Sequence, residues 1–168
     1  MTRRRIFLLA AAAVPSAQLL AACGFELRRA PELRFKTIQL VGFRPRSPLA
    51  EELRMNLNAS TTTRVVESAA QAEVVLEAID DVRDKVVAAS TAAGQITEFT
   101  VRGRFKFRVR GVNGKELIPT TELSLTRDMT YTEKDALGKE QEEAFLQRSM
   151  QTDIVAQVMR RLASIQNF

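Results

Sequence analysis

VRGRFKFRVR, residues 101–110, separates into two strips when read at every second position. Val101, Gly103, Phe105, Phe107 and Val109 form one strip; Arg102, Arg104, Lys106, Arg108 and Arg110 form the other. Successive side chains of a β-strand point to opposite faces of the sheet. As a strand, this stretch therefore has one apolar face and one face of five cations. It needs a cover on one side only, which points to a sheet with helices packed on a single face.

The neighbouring segments extend this into a meander. AEVVLEAIDDVRDKVVAAS (72–90) is a long β-prone run, in which Asp80-Asp81 marks a bulge or bend. Ala93-Gly94 is a turn signal, and QITEFTVRGRFKFRVRG (95–111) is the next strand. Asn113-Gly114 is a hairpin turn. KELIPTTELSLTRDMTY (115–131) is the third strand, with Pro119 placing it at an edge or a bulge, because proline cannot donate to a ladder.

Upstream, KTIQLVGF (36–43) alternates as a strand. Ser47-Pro48 reads as an N-cap followed by proline at the first helical position. Leu49, Leu53 and Leu57, with Glu51 and Glu52 near the positive end, predict an amphipathic helix over 48–58. TRVVES (63–68) is a short strand candidate. Downstream, from about Lys139, Leu146, Met150, Ile154, Val158, Leu162 and Ile165 recur at helical spacing. Phe145, Val155 and Met159 widen that stripe. Glu140, Glu142 and Glu143 fall in the expected first turn and Arg160 and Arg161 near the last, as the helix dipole prefers. Such a helix is roughly 40 Å long. The order β-α-β-β-β-β-α predicts an α+β two-layer sandwich, with two helices on one face of a mostly antiparallel sheet of four or five strands.

The chain has 25 cations and 20 acids among 168 residues, and three of the cations lie before residue 23, leaving 22 against 20. This near balance argues against a general nucleic-acid binder. Histidine is absent, so the commonest acid–base and metal-binding side chain is missing. Serine and aspartate have no imidazole to complete a nucleophile relay. No enzyme is expected, and no cofactor or metal.

Residues 1–22 read as an export signal: Arg3–Arg5 form a positive start and Ile6–Val14 an apolar core too short for a membrane span of roughly 20 residues. Arg4-Arg5-Ile6-Phe7-Leu8 loosely resembles a twin-arginine signal. Leu20-Ala21-Ala22-Cys23 matches a bacterial lipobox, and Cys23 is the only cysteine. Cys23 is thus the expected lipid-attachment residue. Several acyl chains on it make a durable tether, at ~0.8 kcal/mol per buried methylene. Gly24 stands where an inner-membrane retention signal usually has aspartate, which points to the outer membrane. The expected organisation is a signal peptide at 1–22, a lipidated linker at 23–35 and one α+β domain at 36–168.

Cys23-Gly24-Phe25-Glu26-Leu27-Arg28 resembles the CG[FW]xLR start of the LptE family of lipopolysaccharide-assembly lipoproteins. The element order and the closing segment DALGKEQEEAFLQRSMQTDIVAQVMRRLASI (135–165) are also similar to that family. The resemblance implies a lipoprotein on the periplasmic side of the outer membrane that plugs an LptD-type β-barrel one to one, helps assemble it and contacts lipopolysaccharide. It implies a lipopolysaccharide contact at Lys139, in a loop before the last helix. A second basic position of some members, just before the Gly-Gln turn, is occupied here by Ala92-Ala93; Arg83, Lys85 or the 102–110 row are the substitutes on offer.

The row Arg102, Arg104, Lys106, Arg108 and Arg110 has two readings. Neighbouring acids on the same face can pair with it: Glu122 and Asp128 downstream, or Glu77, Asp80 or Asp81 upstream. Alternatively it meets a polyanion, since the guanidinium fork matches phosphate, or it meets the acidic lumen of a barrel. Lys139 is either a solvated loop residue or a ligand contact. A freestanding periplasmic lipoprotein that binds another anionic ligand is the competing class.

Overall fold

The computed structural model describes residues 32–166. Five strands and two α-helices follow in the order β1 (Thr37–Val41), α1 (Pro48–Asn58), β2 (Arg64–Val66), β3 (Val74–Ser90), β4 (Ile96–Gly111), β5 (Glu116–Thr130) and α2 (Ala136–Ala163). The strands form one sheet in the order β2-β1-β3-β4-β5. β3, β4 and β5 are the expected antiparallel meander. β1 runs parallel to both β2 and β3. Parallel neighbours need a crossover, and α1 supplies it between β1 and β2. The result is the expected α+β sandwich on a mixed sheet.

The apolar strip of β4 is the floor of the core. Val101, Phe105, Phe107 and Val109 are all fully buried. Phe105 stacks between Phe43 at 5.8 Å and Phe107 at 5.3 Å. Above them lie Leu49, Leu53 and Leu57 of α1 and Met150, Ile154, Val155, Val158, Met159 and Leu162 of α2. Complete burial of one such side chain contributes about 1.5–3 kcal/mol. The N-cap of α1 is as expected: the Ala50 amide donates to Ser47 Oγ at 3.3 Å, and Pro48 opens the helix. Leu33 and Phe35, from the stretch expected as linker, are core residues too.

A bulge decides which residues of β3 face the helices. Ala78 pairs with Phe107, but Asp80, not Ile79, pairs with Lys106. Ile79 is the extra residue, beside the Asp80-Asp81 pair that signals it in the sequence. Before the bulge Val74, Leu76 and Ala78 face the core. After it the parity reverses. Asp81 pairs with Phe105, Arg83 with Gly103 and Lys85 with Val101, so these three charged residues lie on the helix side. Asp80, Val82 and Asp84 pair with Lys106, Arg104 and Arg102 on the open side. β5 is the edge strand, and its register shifts where Pro119 lies.

Four expectations for the last helix change. It begins at Ala136, directly after a 3₁₀ turn at Glu133–Asp135 that bends the chain into helical geometry. Lys139 is therefore helical and not in a loop. For the same reason Glu140, Glu142 and Glu143 sit beyond the first turn, which has no acid. Phe145 is not core but 62% exposed. It lies about 40° round the helix from Met159, on the same edge of the stripe, but the sheet beneath that half presents Lys85, which pairs with Glu143, in place of a continuous apolar strip.

Candidate functional site

The cationic strip of β4 lies on the sheet face opposite the helices, and β3 supplies its partners. Arg102 grips Asp84 with two hydrogen bonds of 2.8 Å. Arg104 reaches Asp80 at 3.1 Å. Arg108 holds Glu77 with two bonds of 2.9 Å, and Arg110 shares that carboxylate at 3.1 Å. Of the acids expected downstream, Asp128 accepts from Thr100 at 2.8 Å, and Glu122 stands opposite Lys106 in the ladder. Among the described residues Lys106 makes no ion pair, although Asp80 and Glu122 flank it in register. A depression of about 200 Å³ lies beside it, lined by Val82, Asp84, Arg102, Arg104, Glu122 and Ser124.

The hydrogen bonds from Arg102 hold the Asp84 carboxyl below its ordinary pKa; partial desolvation opposes this, and the charges of Arg102 and Arg104 add to the lowering. The same bonds raise the Arg102 pKa. A depressed acid contributes stability at pH values above the ordinary aspartate range and loses it as pH falls through its own lower pKa. Arg102→Gln is expected to move Asp84 back up toward ordinary aspartate titration. Carboxyl-carbon NMR of both proteins checks this.

Lys139 occupies the other side of the sheet, at the end of the long strands. Its ammonium donates to Glu142 at 2.8 Å and to Thr130 Oγ1 at 3.2 Å, and its side chain is only 16% exposed. It is a held residue, not a freely solvated one. Lys85, brought to this side by the bulge, pairs with Glu143 and stands 5.1 Å above the Phe99 ring. Phe99 meets Tyr131 edge to face at 5.1 Å. Lys85, Phe99, Met129, Tyr131, Lys139 and Glu143 line a crevice of about 120 Å³ between α2 and the sheet. A wider open groove of about 640 Å³ follows, between the β3–β4 turn and Thr132–Lys134.

The structure thus brings Lys85 and Lys139 to one crevice and leaves the 102–110 row on the opposite face. Arg83 is on the helix side but engages Asp81 at 3.2 Å. Ala92-Ala93 lies exposed at the β3–β4 turn. Cys23, the signal at 1–22 and most of the linker lie outside the described residues. Sequence reasoning missed Glu143 as the partner of Lys85 and the Phe99–Tyr131 pair. The signal for Lys85 was the Asp80-Asp81 bulge, taken one step further to the parity it reverses. Two cations, one of them over an aromatic ring, beside a groove suit an amphiphile with anionic groups. Among the described residues no helix is long and apolar enough to cross a membrane, and no group of metal-ligating side chains forms.

Three solved structures share the fold. Lipoprotein B of Nitrosomonas europaea, an uncharacterized protein, is 26% identical with a TM-score of 0.72, over 84% of this chain and 91% of its own. Rare lipoprotein B of Shewanella oneidensis is 19% identical with a TM-score of 0.66, over 77% and 95%. A minor lipoprotein of Acinetobacter baumannii is 20% identical with a TM-score of 0.64, over 79% and 94%. The search of curated proteins finds no match. The family described as LptE, lipopolysaccharide-assembly, matches residues 35–162. That span runs from Phe35 in the core to Leu162 at the end of the buried helical stripe, and the chain belongs to the LptE family of lipopolysaccharide-assembly lipoproteins.

Proposed function

We propose that this protein is anchored in the outer membrane through lipidated Cys23 after loss of residues 1–22, plugs an LptD-type β-barrel one to one, and binds lipopolysaccharide on its way to the outer leaflet. The observation that carries the ligand reading is the pairing of Lys85 and Lys139 across a crevice floored by Phe99 and Tyr131, in a chain of this family. Ammonium groups meet the phosphates, and the aromatic floor meets apolar parts of the lipid. In this reading the open sheet face, its arginines held in place by Glu77, Asp80 and Asp84, meets the barrel wall.

An affinity-tagged copy is expected to retain a large β-barrel protein through detergent extraction. Lys139→Ala is expected to weaken lipopolysaccharide binding roughly tenfold, the size of one charge-assisted hydrogen bond, and to leave barrel retention unchanged. Replacing Arg104, Lys106 and Arg108 together with serine is expected to reduce barrel retention and spare lipopolysaccharide affinity. The reverse pattern would move the lipid contact to the basic row, and a tagged protein that carries no barrel would sink the plug reading.

A further inference from the structure

The two halves of α2 are attached to the sheet by different forces. Residues 150–162 bury Met150, Ile154, Val155, Val158, Met159 and Leu162. Residues 136–149 contain no buried side chain; Leu137 and Phe145 are openly exposed, at 78% and 62%. The reason lies beneath. Past the bulge at Ile79, Arg83 and Lys85 lie on the helix side; Lys85 meets Glu143 of this half, and Arg83 lines a hollow with Gln147. Phe99, Val101 and Met129 offer apolar ground there, but no side chain of 136–149 is fully buried on it. The half is fastened instead by the Lys85–Glu143 ion pair and the Lys139–Thr130 hydrogen bond.

The junction between the halves is pinned. Gln151 and Thr152 donate to the Glu52 carboxylate of α1 at 2.6 and 2.8 Å. Met150 is buried and lies directly over Gly103, where a side chain would stand 3.3 Å from its Cε. These contacts fix the helix at 150–152 and leave what precedes it to polar fastenings.

We propose that residues 136–149 form a flap, hinged next to Met150, that an incoming phosphate-bearing ligand opens. The proposal rests on the lipopolysaccharide reading above for the identity of that ligand. A phosphate that takes Lys85 removes the ion-pair partner of Glu143, and one that takes Lys139 removes that of Glu142. The same anion repels Glu140, Glu142 and Glu143, all on the flap. Opening uncovers Phe99, Met129 and Tyr131, the apolar floor of the crevice. One binding event thus supplies both the phosphate contact and the surface for acyl chains. Salt screens exposed ion pairs, so it loosens the flap without ligand.

Amide hydrogen exchange on the lipidated protein tests this, because local opening is read segment by segment. In the free protein, exchange over 137–149 is expected to exceed that over 151–162 at least roughly tenfold, a difference in opening free energy of about 1.4 kcal/mol. Glu143→Gln and raised salt are expected to speed the first segment only. Inorganic diphosphate and lipopolysaccharide with intact lipid A phosphates are expected to speed it further; lipopolysaccharide stripped of those phosphates is not. Equal protection of the two segments overturns the flap. Lipopolysaccharide bound over an unchanged or better protected 137–149 also overturns it, and leaves the ligand reading intact. Absence of lipopolysaccharide binding, with diphosphate still opening 137–149, sinks the ligand reading and leaves the flap standing.

Discussion

Phe105→Ala is expected to destabilise the domain by about 3–5 kcal/mol, the range for truncating a fully buried phenylalanine. Phe105 is the centre of a three-ring stack, with Phe43 on one side and Phe107 on the other, and none of its surface reaches water. Its neighbours are fixed on different elements: Phe107 on the same strand, Leu123 opposite on β5, and Asp81 opposite on β3. They cannot close on the space together, so most of the cavity persists. For a domain of this size the loss corresponds to a fall of roughly 10–20 °C in the unfolding midpoint. Phe145→Ala is the control. That ring lies outside the core, and its removal is expected to change stability by less than about 0.5 kcal/mol. Thermal and urea unfolding of the two variants check the pair; equal losses would show that the core is not where β4 puts it.

Gly42→Ala is expected to be as damaging, by another mechanism. Gly42 follows β1 with φ of +81°, and a Cβ there would lie 2.2 Å from the carbonyl oxygen of Ala78. A left-handed conformation costs an alanine about 1–2 kcal/mol. The clash adds about 1–3 kcal/mol, because the group in the way is backbone and not a side chain that can swing aside. That backbone is the last residue before the bulge, so relief of the clash would disturb the register of β3. The expected total is about 2–5 kcal/mol by urea unfolding. Gly94→Ala isolates the conformational part. Gly94 has nearly the same φ, +79°, and nothing stands within 4 Å of its Cβ position, so the loss there is expected to stay near 1–2 kcal/mol.

The parts of the fold legible in the sequence were those in which one residue's environment repeats at a fixed period. The alternation of 101–110 named the buried and open faces of β4 correctly at every position, because burial on one side only leaves no other arrangement for five cations. Leu49, Leu53 and Leu57 did the same for α1. The parallel pairing of β1 with β3 was not legible, since Ile38 and Val74 meet only through a long-range register that neither segment encodes alone. The start of α2 was misplaced because Glu133–Asp135 reads as polar loop and is a turn of 3₁₀ helix. Phe145 was assigned to the core by an angle it shares with Met159, but the strand beneath its half of the helix turns charged residues to that side.

The crevice was half legible. Lys139 stood out through a resemblance, and Lys85 was only one of several substitutes, because the side it faces depends on a single unpaired residue six positions away in the strand's path. The row on β4 was legible as a row but not as a set of ion pairs. Which strand supplies the acids is a matter of diagonal reach across the ladder, and a carboxylate two residues along competes with the one directly opposite.

Ile79 does for β3 what a frameshift does for a message. Without the bulge, with Ile79 paired in a regular ladder, Arg83 would stand opposite Arg102 and Lys85 would share that face, setting like charges side by side, while Asp80 and Asp84 would turn beneath the helix that carries Glu143. With it, every one of those charges meets its opposite. Loss of that bulge with the residue kept therefore rewrites the electrostatics of both layers at once, and simple alternation carried across it would assign the wrong charge to each face.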